Sequence, residues 1–160
     1  MSSTAITFTP LGRVLFSCLL TPHVAPLCAA EAFSLDEARL LAAIAHVETG
    51  TVNLARPVRR VGRAGERSAW QFTPATWRRY TRTEFTQAST DATLAHLVAQ
   101  LHLRYLRVEL ETRGQLVNPY TLALAWNAGL AGVLKNRAGF PARDYAERVD
   151  NIYRVTPARR

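Results

Sequence analysis

Glu48 closes the stretch Ala45-His46-Val47-Glu48-Thr49-Gly50, four residues after Ile44 and seven after Leu41. That spacing puts all three on one helical face. A carboxylate at the end of a core-facing stripe is partly desolvated, which favours its neutral form. The unpaired carbonyls of a helix C-terminus push the same way. Both effects predict a carboxylic acid that keeps its proton near neutral pH, which is the property of a general acid. Glu66, in the loop that follows, is a second carboxylate within reach of the same site.

Other chemistries find less support. His46, His96 and His102 lack metal-ligand spacing, since six residues on a helix put His96 and His102 on different faces. Gly62-Arg63-Ala64-Gly65 lacks the Lys and Ser/Thr of a phosphate loop. No Gly-x-Ser-x-Gly nucleophile elbow occurs. The two cysteines, Cys18 and Cys28, lie in the N-terminal segment, so the rest of the chain calls for neither disulfides nor thiol chemistry.

The elements that must hold Glu48 are helices. Ser34-Leu35-Asp36-Glu37 reads as a capping box with Ser34 as N-cap, and Gly50 as the C-terminal stop. Thr51 to Ser68 is a loop carrying Arg56, Arg59, Arg60, Arg63 and Arg67, broken by Pro57, Gly62 and Gly65. Thr73-Pro74 restarts a helix through Trp77 and Tyr80. Leu94, Leu97, Val98, Leu101, Tyr105 and Val108 mark a long amphipathic helix ending near Gly114. Asn118-Pro119 opens another, running into Asn127-Ala128-Gly129, and a short helical piece follows around Val133 and Leu134. Pro141 opens the last helix, with Tyr145, Val149 and Ile152 on one face. The expected fold is mainly α, with at most a short hairpin inside Thr51–Gln71.

A chain of 160 residues with 48% hydrophobic content can bury one substantial core. Arg13, the apolar run Val14–Leu20 and the small residues Cys28-Ala29-Ala30 fit a secretory signal over residues 1–30, leaving one domain over 31–160. The formal charge of +8 favours anionic partners: nucleic acid, anionic lipid or an acidic wall polymer. A secreted or periplasmic location moves nucleic acid down that order, and none is expected.

Four stretches occur in a telling order: Glu48-Thr49-Gly50; Gly65-Glu66-Arg67-Ser68-Ala69-Trp70-Gln71-Phe72-Thr73-Pro74-Ala75-Thr76-Trp77; Leu124-Ala125-Trp126-Asn127-Ala128-Gly129; and Arg143-Asp144-Tyr145-Ala146-Glu147-Arg148-Val149. They resemble the ordered motifs of the soluble lytic transglycosylases, in the superfamily of goose-type lysozyme, from about Leu35 to Tyr153. The resemblance implies a lysozyme-like helical domain in which Glu48 is the catalytic acid/base and Gln71 holds the sugar. It also implies that Asn127 shapes the groove and that the Tyr145 hydroxyl faces the catalytic carboxyl. Three positions depart from the family pattern. Thr49 replaces the usual Ser and keeps a hydroxyl beside the substrate. Ser68-Ala69-Trp70 stands where Gly-Leu-Met is common, giving a bulkier groove floor. Trp126 replaces a Tyr. Trp70 and Trp126 are each readable as core or as a sugar platform, Tyr145 as a cleft residue or as packing, and Asn127 as a groove residue or a helix cap.

The resemblance further implies cleavage of the β-1,4 bond between N-acetylmuramic acid and N-acetylglucosamine in peptidoglycan glycan strands, without a cofactor. Glu48 alone would give a 1,6-anhydro product, whereas Glu66 positioning a water would give a hydrolytic, lysozyme-type muramidase. A catalytically silent glycan-binding or assembly protein on the same fold is the remaining alternative. Wall remodelling, a wall-spanning secretion machine and phage assembly are the settings open to such a protein, and its oligomeric state is not set by the sequence.

Overall fold

The computed structural model describes residues 35–157, so the segment read as a secretory signal and the Ser34 cap lie outside the described residues. Six helices follow in order among the described residues: α1 (Glu37–Thr49), α2 (Pro74–Tyr80), α3 (Ala92–Thr112), α4 (Pro119–Ala128), α5 (Leu130–Leu134) and α6 (Phe140–Val155). A short 3-10 turn, Phe85–Ser89, precedes α3. The fold is mainly helical, as expected.

Local chemistry sets the helix ends. Asp36, and not Ser34, is the N-cap of α1: its carboxylate accepts from the Arg39 N–H at 2.9 Å. Asp36 wins because its short carboxylate reaches that amide and also complements the positive helix end. At the other end Gly50 takes φ +73° and donates its N–H to the His46 carbonyl at 2.8 Å, which only glycine does without steric cost. Thr73 caps α2 ahead of Pro74, and Asn118 with Thr121 forms a reciprocal capping box ahead of Pro119.

The core is built from Leu40, Leu41 and Ile44 of α1, Val98, Leu103, Leu106 and Leu110 of α3, Leu122 of α4, and Val149 and Tyr153 of α6, with Trp70 and Trp77 from outside the long helices. Each large side chain taken fully from water contributes about 1.5–3 kcal/mol, so this set holds the bundle. α6 packs most extensively on α4 and next on α1, and α3 closes against α1, α2 and α4.

One expectation is corrected. On α3 the buried row is Ala95, Val98, Ala99, Leu103, Leu106 and Leu110, whereas Leu97 and Val108 are about half exposed, at 50% and 48%. The small Ala95 and Ala99 let neighbouring elements approach closely, a signal hidden when only large apolar residues are counted. Where at most a short hairpin was expected inside Thr51–Gln71, one antiparallel residue pair occurs at its end, Arg67 with Phe72, and no strand occurs among the described residues.

Candidate active site

The packing of α1 against α6 joins residues 97 positions apart. The Tyr145 hydroxyl, from the second turn of α6, donates to Glu48 Oε1 at 2.8 Å. Tyr145 is 7% exposed and Glu48 is half-buried at the C-terminal end of α1. Burial raises the Glu48 carboxyl above its ordinary value. The Tyr145 hydrogen bond opposes that rise, the charge of Glu66 adds to it, and the charge of Arg148 opposes it. Burial and the adjoining Glu48 hold the Tyr145 hydroxyl well above its ordinary range, so it stays a donor. Arg148 lies one turn beyond Tyr145 and faces Asp144 across 4.0 Å.

A strained loop builds the wall beside Glu48. Ser68 (φ +76°) and Gln71 (φ +48°) both occupy the left-handed region without being glycine, a cost of order 1–3 kcal/mol each. Several bonds hold them there. Arg67 and Phe72 exchange backbone hydrogen bonds at 3.0 and 2.8 Å, and the Ser68 hydroxyl accepts from the Trp70 N–H at 3.2 Å. The Gln71 side-chain amide donates to the Ser68 carbonyl at 2.9 Å. The Trp70 indole N–H donates to the Leu41 carbonyl at 3.0 Å, fastening the loop to the middle of α1. Strain held in place at such expense accompanies functional sites.

Trp70 is therefore corrected from groove to core: it is 1% exposed and lies between Phe72 and His96. The indole that is only partly covered is Trp126, half-buried against Phe72 at 5.9 Å and His102 at 4.8 Å. Thr49 does not present a free hydroxyl; it donates to the Ala45 carbonyl at 3.0 Å and lies 3.4 Å from the Ala69 carbonyl, tying the end of α1 to the loop. Asn127 sits exposed near the end of α4, apart from the Glu48–Tyr145 pair in the hydrogen-bond pattern.

Glu66 and Gln71 converge over Gly62. A β-carbon there would fall 2.2 Å from Glu66 Oε2 and 2.6 Å from Gln71 Oε1, so only glycine leaves room for both. Glu66 Oε2 accepts from the Ala64 N–H at 3.0 Å, and the Gly62 N–H donates to the Glu66 carbonyl at 2.8 Å. The second carboxylate is thus bound into its own loop while still raising Glu48 electrostatically.

Ser68, Gly62 and Arg148 were missed as site residues. Arg148 was findable, because three residues past Tyr145 is the same face of α6. Nothing in its residue type marks Ser68 as left-handed. Among the described residues no three His, Cys, Asp or Glu side chains are placed to share a metal ion. A cavity of about 780 Å³ opens elsewhere, between Ala38, the turn Val52–Ala55 and the first half of α3, and neither Glu48 nor Tyr145 lines it.

Comparison of the chain with protein-family models, curated proteins and solved structures finds no match. The functional reading therefore stands on the geometry of the site and on the ordered motifs.

Proposed function

We propose that this protein is a peptidoglycan lytic transglycosylase of lysozyme-like helical fold, with Glu48 as its single acid/base. The observation that carries the reading is the Tyr145–Glu48 hydrogen bond at 2.8 Å, made to a half-buried carboxyl at a helix C-terminus. Tyr145 engages Oε1, which leaves Oε2 to carry the proton a general acid must deliver. Raised by burial, that carboxyl keeps its proton further toward neutral pH than a solvated glutamate.

The chemistry balances without water. Glu48 gives its proton to the glycosidic oxygen, the C1–O bond breaks with oxocarbenium character, and N-acetylglucosamine leaves with a free 4-hydroxyl. The Glu48 carboxylate then takes the proton of the muramoyl C6 hydroxyl as O6 closes on C1, giving the 1,6-anhydro ring and restoring the acid. Tyr145 is a positioning residue: its hydrogen bond favours the carboxylate state that the second half of the cycle needs. The separated acid and nucleophile carboxylates of ordinary retaining glycosidases are not required. Gln71, anchored through its amide N–H, is free to accept through Oε1 from a sugar hydroxyl or N-acetyl N–H. Trp126 offers an aromatic face, and Asn127 a polar rim. The wall-facing location proposed for this chemistry rests on the Arg13–Ala30 pattern.

A hydrolytic outcome is the second reading, favoured by the electrostatic push of Glu66 on Glu48. The bond from Ala64 to Glu66 Oε2 argues against Glu66 as the group that directs water. Incubation with purified sacculi tests the enzyme reading. Wild-type protein is expected to release soluble fragments, and Glu48→Gln to bind the sacculi without releasing any. Equal release by both would contradict it.

A further inference from the structure

Four arginines, Arg56, Arg59, Arg60 and Arg63, lie between Thr51 and Gly65, a stretch that contains no acidic residue. All four are exposed, and none has a carboxylate partner among the described residues. Elsewhere in the fold Arg107, Arg113, Arg148 and Arg154 each face a Glu or Asp. The stretch is nevertheless held. Leu54 and Val58 pack on the core, and Gly62 is bonded to Glu66. The anchors leave the charges outside, on a strip spanning at most about 25 Å from Arg56 to Arg63. Its far end abuts the candidate site, because Gly62, next to Arg63, is where Glu66 and Gln71 meet.

We propose that this strip binds the carboxylates of the peptide stems carried by the glycan, so that the protein acts on strands with free stem carboxylates in preference to strands whose stem carboxylates are neutralised. The inference rests on the peptidoglycan reading of the site. In that polymer the lactyl carboxyl of each muramic acid is taken up in the amide to its stem, so the stem-bearing backbone is neutral and the negative charge belongs to discrete stem carboxylates. An arginine fork matches a carboxylate with two parallel hydrogen bonds, the geometry that favours Arg over Lys for such groups. A continuous polyphosphate fits less well. The stretch has no aromatic residue on which a base could stack, and a phosphate backbone following the strip would run into Glu66 and Glu48.

The test uses the full chain and two substrates: intact strands, and strands whose stem carboxylates have been converted to neutral amides. Wild type is compared with Arg59→Gln/Arg60→Gln/Arg63→Gln and with a charge-matched control, Arg104→Gln/Arg113→Gln/Arg137→Gln. The loop variant is expected to raise KM on intact strands about five- to tenfold with kcat nearly unchanged. On amidated strands it should match wild type, and the control should match wild type on both. Added salt should raise the wild-type KM only on intact strands. Cleavage of both substrates by wild type with equal KM would overturn the stem assignment alone. Absence of binding and cleavage on both would overturn it together with the peptidoglycan reading. Binding to duplex DNA or to phosphatidylglycerol vesicles that the loop substitutions abolish, without any stem preference, would assign the arginines to another polyanion and overturn it too.

Discussion

The Tyr145 hydroxyl reaches Glu48 Oε1 at 2.8 Å across 97 residues of chain, and both side chains come from rigid helices. Burial pushes the carboxyl toward its neutral form while the hydroxyl pulls it back. The proposed reaction, in which one carboxyl is first acid and then base, needs that balance.

Tyr145→Phe removes the pull and keeps the ring in place. The Glu48 carboxyl should then titrate higher than in wild type, because the lost hydrogen bond stabilised its charged form. Carbon-detected NMR titration of the glutamate side chains reads this directly. The fold should lose only about 0.5–1.5 kcal/mol, so a large fall in activity would be a loss of function and not of structure. A Glu48 titration unchanged by the substitution would contradict the role given to Tyr145.

Glu48 also leaves a mark on stability. It is harder to ionise folded than unfolded, so its contribution is present below its ordinary value of 4.5 and is lost as pH rises through the folded value. Glu48→Gln should therefore melt at a higher temperature than wild type at about pH 8, with the difference vanishing near about pH 4. Melting curves across that range check it.

His102 acts in the opposite sense. Burial, and then the charge of Arg79, lower its pKa from 6.5 to about 4, and its Nδ1 shares a 2.9 Å hydrogen bond with the Tyr80 hydroxyl. A depressed value gives stability that is present above pH 6.5 and is lost as pH falls toward 4, on the order of 3 kcal/mol if the whole shift is expressed. Replacing His102 by Gln should flatten the acid limb of a stability-versus-pH curve in that window.

Much of this was legible in the sequence. Thr73-Pro74, Asn118-Pro119 and Gly50 each do one local thing, and each marks its helix end where expected. Glu48 and Tyr145 were findable because the 3.6-residue period puts them on buried faces. Trp70 was not, since a large indole beside a Gln serves a groove or a core equally well until its N–H finds Leu41. The cap at Asp36 and the alanine face of α3 turned on reach and close approach, which residue type alone does not report.

The two tryptophans should separate under mutation. Trp70→Ala empties a buried site and breaks the bond to Leu41, and is expected to cost about 3–5 kcal/mol. Trp126→Ala, at a half-buried ring, should cost less stability while weakening glycan binding. Urea unfolding and a sacculus-binding assay, run on both variants, distinguish the roles.

Gly62→Ala probes the convergence of Glu66 and Gln71. The new methyl displaces the ends of the Glu66 and Gln71 side chains, crowds Glu66 Cβ at 3.1 Å and disturbs the bond from Ala64 to Glu66 Oε2, so stability should fall by about 0.5–3 kcal/mol. Activity should fall at least as far as in Gln71→Ala. A fully active Gly62→Ala variant would show that the geometry over Gly62 is irrelevant to turnover.

The central claim is that Glu48 works alone, with the C6 hydroxyl in place of water. The most direct measurement is mass spectrometry of the muropeptides released from purified peptidoglycan by wild type and by Glu48→Gln. Wild type is expected to give 1,6-anhydromuramoyl ends and the variant none. Reducing muramoyl ends, or product ends that persist in Glu48→Gln, would contradict it.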